Sequence, residues 1–93
     1  MAAVARRLSI SGRVQGVFYR AWTVETAREL GLVGWVRNRP DGSVEAHVQG
    51  EAAAVDRLVA LARRGPTAAR VDAVHVTETP AIDLVGFEKR PTG

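Results

Sequence analysis

The sequence predicts an α+β sandwich, with its elements in the order β-α-β-β-α-β. Three observations carry that reading. Two stretches place apolar residues at helical spacing, and each is closed by a glycine, Gly31 or Gly65. Stretches of apolar alternation lie before, between and after them. A Pro40-Asp41-Gly42 turn joins the second and third alternating runs, which makes that pair a hairpin.

The elements follow in order. "ARRLSISG" alternates through Leu8 and Ile10 and reads as a strand ending at Gly12. "AWTVETAREL" puts Trp22, Ala27 and Leu30 near helical spacing before Gly31. "LVGWVRNR" is the second strand. In "SVEAHVQG", Val44, Ala46 and Val48 are expected to face the core, with Glu45, His47 and Gln49 facing out. "EAAAVDRLVALARRG" carries the stripe Val55, Leu58, Val59 and Ala62, and Gly65-Pro66 stops it. Arg63 and Arg64 are expected in its last turn, where they complement the helix dipole. "RVDAVHVTET" is a fourth strand, and "GFEKR" reads as a short fifth strand or an extension. The whole is a ferredoxin-like sandwich, an antiparallel sheet with both helices on one face.

The 93 residues form a single domain, 1–93, with room for one modest core. The absence of cysteine excludes disulfides, cysteine-zinc sites and thiol nucleophiles. "MAAVARRLSI" fits neither a signal peptide nor a membrane span, so a cytoplasmic location is the default. The net charge of +3 is too small to imply nucleic acid but suits a small anionic ligand. Lys89 is the single lysine, so nearly all basic character comes from arginine.

One stretch carries more than a turn needs. "GRVQGVFYR", Gly12 to Arg20, joins the first strand to the first helix and contains two glycines, two arginines and no acid. The first N–H groups of a helix lack intrahelical partners, so this position is a ready anion site. Gly12 and Gly16 let the backbone N–H groups of Gln15, Gly16, Val17, Phe18, Tyr19 and Arg20 converge. Arg20 adds a guanidinium. Glycine-bearing β-to-α turns with a capping arginine are also common, and the loop alone leaves both readings open.

Asn38, the lone asparagine, closes the second strand just before the turn. Asparagine there is usually turn chemistry. In the expected sandwich, that strand end lies near the loop after the first strand. An amide has both a donor and an acceptor and can hold a water without changing charge. His47 and His75 sit on alternating strands and read as sheet-face residues, not as metal ligands. Trp22 and Trp35 read as core or edge packing, and Gly34 as a site of close backbone approach.

Together, "ISGRVQGVFYR" and "GWVRNRPDGSVEAHVQG" resemble the two signature stretches of the acylphosphatase family. Gly12, Val14, Gln15, Gly16, Val17 and Arg20 match in the first; Gly34, Trp35, Val36, Asn38, Gly42, Val44 and Gly50 match in the second. Tyr19 stands where phenylalanine is commoner, so its hydroxyl needs a partner if buried. The resemblance implies hydrolysis of a small-molecule acyl phosphate to a carboxylate and inorganic phosphate. It implies that Arg20 and the Gln15–Arg20 backbone hold the phosphate while Asn38 orients water. It implies no metal and no cofactor. Small size and the lack of an obvious apolar patch favour a monomer, and no nucleic-acid or membrane partner is expected. Two other classes compete. An RNA-binding sheet calls for aromatics among basic residues on central strands, and "SVEAHVQG" has none. A phosphate-binding regulatory domain without turnover is the third reading; Asn38 argues against it, and the sequence leaves it open.

Overall fold

The computed structural model describes residues 3–93. These form β1 (Ala3–Arg13), α1 (Tyr19–Glu29), β2 (Val33–Asn38), β3 (Val44–Glu51), α2 (Ala52–Ala62), β4 (Arg70–Glu78) and β5 (Phe87–Arg90). The sheet order is β4-β1-β3-β2-β5. β3 pairs antiparallel with β1 and β2, and β4 pairs antiparallel with β1. "GFEKR" does form a fifth strand, but it runs parallel to β2, so the sheet is mixed and not wholly antiparallel. Topology explains the difference. β4 runs opposite to β2 and ends where β2 begins. A strand laid beside β2 from that side must follow its direction. Gln49 fastens the connecting segment, donating to the Ile82 carbonyl at 2.9 Å and accepting from the Ile82 N–H at 3.0 Å.

One core unites Leu8, Ile10, Val36, Ala46 and Phe87 of the sheet with Ala27 of α1 and Val55 and Leu58 of α2, so both helices cover the same face. α1 begins two residues earlier than the sequence spacing predicts, at Tyr19, because Tyr19, Thr23 and Ala27 make its buried stripe. Thr23 is polar yet buried, and its hydroxyl donates to the Tyr19 carbonyl at 2.8 Å. α2 buries Val55, Leu58 and Ala62 as expected. It stops at Ala62, so Arg63 and Arg64 lie just past the last turn and not within it.

The helix-free face departs from simple alternation. His47, expected to face out, is only 1% exposed. It stacks on Trp35 with ring centroids 6.2 Å apart. The guanidinium groups of Arg7, Arg37 and Arg90 lie 5.0, 5.1 and 5.0 Å from the Trp35 ring. Long arginine stems thus cover apolar surface where no helix does. Glu45 holds this cover in place, pairing with Arg37 at 2.8 Å, Arg39 at 3.2 Å and Arg7 at 3.3 Å. Burial pushes its carboxyl upward, but the Arg37 hydrogen bond and the three positive charges together hold it below the usual range.

Candidate active site

Strand direction gathers the site. β1, β2 and β5 all point the same way, so their C-terminal ends share one edge of the sheet. Across that edge Ile10 lies opposite Val44, Val44 opposite Asn38, and Arg37 beside Arg90. The β1–α1 loop therefore meets the end of β2 without any long-range bend in the chain.

The loop is pinned from below. Val14 and Val17 are buried in the core beneath it. Tyr19 is buried too, and its hydroxyl donates to the Ala62 carbonyl at 2.6 Å. Burial pushes that phenol well above its ordinary pKa, so it stays a neutral donor. Gly16 has φ 73° and Phe18 φ 65°, and they flank Val17, whose φ is negative. Such alternation turns successive N–H groups toward one point. Among the described residues, no acceptor takes a hydrogen bond from the N–H groups of Gln15 to Arg20. Phe18 caps the helix without a side-chain bond, and the first turn has no acid.

Gly12 has a different role from the one its place in the motif suggests. It still belongs to β1, at a bulge against β4, and a Cβ there would collide with the Arg70 carbonyl. It permits close strand approach, while Gly16 and Phe18 shape the loop.

Gln15 sends its side chain away from the loop. Its Nε2 donates to the carbonyls of Arg39 and Ser43, both at 2.8 Å, clamping the loop to the turn that follows Asn38. Arg20 donates to the Arg90 carbonyl at 3.1 Å, so β5 steadies the guanidinium. The main-chain carbonyl of Asn38 accepts from the Gly93 N–H at 3.1 Å, while its buried Oδ1 has no partner.

Val14, Gly16, Phe18, Tyr19, Arg20, Ala21, Asn38 and Lys89 line one cleft of about 230 Å³. The two side chains singled out from sequence, Arg20 and Asn38, thus come together. Gln15 and Val17 contribute only main chain to the loop, since their side chains turn to the hairpin and the core. Sequence reasoning missed the Gln15 clamp, the left-handed Phe18 and Lys89. Only Lys89, as the lone lysine, carried a visible signal. The cleft holds two cations and no acid in its lining. Among the described residues, no three of His, Asp and Glu gather as a metal site.

The family model for acylphosphatase matches residues 6–89. The chain belongs to the acylphosphatase family. It is similar to an acylphosphatase of Rhizorhabdus wittichii, 55% identical over 89 residues, covering 96% of this chain and 90% of the relative. An acylphosphatase of Albidiferax ferrireducens is 58% identical over 90 residues, with 97% of each chain covered. The solved structure of an acylphosphatase from Coxiella burnetii superposes with TM-score 0.92 at 35% identity, covering 95% of this chain and 93% of that one. This family membership makes the chain a hydrolase with acylphosphatase activity, and the cleft described above is the candidate site for it.

Proposed function

We propose that the cleft hydrolyses acyl phosphates by direct attack of water on phosphorus. Arg20 and the N–H groups of Gln15, Gly16, Val17, Phe18, Tyr19 and Arg20 hold the phosphoryl oxygens. Asn38 aims the water. One observation carries the reading: unpartnered N–H groups, a fixed guanidinium and an unsatisfied Asn38 amide oxygen belong to one acid-free cleft edge.

The chemistry asks little more. The water oxygen bonds to phosphorus as the bond from phosphorus to the acyl oxygen breaks. The carboxylate leaves without needing an acid. The water proton passes to a phosphoryl oxygen, and inorganic phosphate is released. Charge on the transferring group grows toward the transition state, so the donors strengthen there. Each charge-assisted hydrogen bond contributes about 1.5–3 kcal/mol. Val14, Val17, Tyr19 and the Gln15 clamp fix those donors beforehand.

Residues 1–93 act as one monomeric domain in the cytoplasm on a small molecule, with no metal, cofactor, nucleic acid or membrane. The test is phosphate release from benzoyl phosphate in the presence of EDTA. Turnover well above background is expected. Turnover that vanishes with EDTA and returns with a divalent ion would refute the metal-free mechanism.

A further inference from the structure

We propose that Lys89 selects acyl phosphates whose short acyl group carries a second anionic group. This rests on the reading above, since it assigns the acyl side of the same cleft. Lys89 shares the helix-side face of β5 with buried Phe87, two residues before it. It lines the cleft beside Arg20 and Asn38. It also lines an adjoining groove of about 510 Å³ with Ala21, Val24, Glu25, Arg28 and Glu29. Ala21 and Lys89 belong to both, so they form the passage between them.

The other cations along this path are engaged by the protein. Arg20 donates to the Arg90 carbonyl at 3.1 Å and Arg28 to the Phe87 carbonyl at 3.0 Å. Among the described residues Lys89 has no carboxylate within 4.0 Å, even with Glu25 and Glu29 on the same groove. A phosphoryl group seated at the loop directs its acyl substituent through the passage. Methylenes meet Ala21 and Val24, and a terminal carboxylate or phosphate meets the ammonium. Length is limited as well. Glu25 lies one turn beyond Ala21, about 6 Å along the helix, so an anion carried further is repelled.

The experiment compares succinyl phosphate with butyryl phosphate, which has the same carbon count without the carboxylate. kcat/KM is measured for both in the wild type, Lys89→Met and Lys89→Arg, and inhibition by inorganic phosphate is recorded. Lys89→Met is expected to lower the succinyl-to-butyryl ratio about two- to fivefold, in the range for an exposed ion pair. Lys89→Arg restores most of it, and about 0.5 M salt shrinks the wild-type ratio. An unchanged ratio overturns the proposal. So does equal loss on both substrates with weakened phosphate inhibition, which makes Lys89 a phosphoryl ligand. Wild-type protein that turns over neither substrate, nor benzoyl phosphate, overturns the hydrolytic reading itself.

Discussion

Arg20 and Asn38 share a cleft but hold different kinds of interaction, and their variants separate them. In the proposed mechanism Arg20 brings a charge to the phosphoryl anion. Arg20→Gln is expected to weaken inhibition by inorganic phosphate and to lower kcat at least about 10³-fold, because ground state and transition state both lose the guanidinium. In the proposed mechanism Asn38 brings a neutral acceptor for water. Asn38→Ala is expected to lower kcat about 10²–10³-fold while phosphate inhibition stays within about twofold. A fully active Asn38→Ala would remove the water-orienting role. No histidine, aspartate or glutamate lines the cleft. His47 lies under Trp35 on the opposite face of the sheet. The rate in wild-type protein should therefore be flat from about pH 6 to 8, and a bell-shaped profile would bring in a histidine.

Single elements show what the sequence could and could not convey. Both helices and the hairpin were legible because their signals are local: the Val55, Leu58 and Ala62 stripe, and Asp41 accepting from the Ser43 N–H at 2.9 Å in the turn. Arg20 and Asn38 were legible because their two motifs are long and sit at family spacing. The cover over Trp35, the ring that stacks on His47, was not legible, because it takes Arg7 from β1, Arg37 from β2 and Arg90 from β5. The direction of β5 depends on where β4 ends, a property of the whole path. A left-handed Phe18 has no composition signal, since such a φ is rare outside glycine. The arginine cover also carries a prediction. The Glu45 carboxyl is held below its ordinary value in the folded chain, so its contribution is present above an unfolded pKa of about 4.3 and lost as pH falls through the lower folded value. Glu45→Gln should be roughly 1–2 kcal/mol less stable than wild type by urea denaturation at neutral pH. That gap should close toward pH 3. A gap that stays constant on acidification would show that Glu45 acts by packing and not by charge.

Across the whole molecule, stability and activity are distributed differently, and the sheet order says how. β5 is a four-residue edge strand paired only with β2. It brings Phe87 into the core, the Arg90 carbonyl to Arg20, and Lys89 to the cleft. β4 lies at the opposite edge, with β1, β3 and β2 between it and β5, and buries Val74. Phe87→Ala should cost about 3–5 kcal/mol, since it leaves a cavity as well as losing burial. Val74→Ala should cost about 2 kcal/mol from the lost methyl groups. The two should part company in activity. In conditions where each variant is fully folded by circular dichroism, Phe87→Ala is expected to lower kcat about tenfold and weaken phosphate inhibition. The shifted β5 no longer steadies the Arg20 guanidinium to the small tolerance that oriented catalysis requires. Val74→Ala is expected to keep kcat within about twofold. Equal kcat losses in both would mean that the position of β5 does not govern activity, and that the Arg90 carbonyl has no special hold on Arg20.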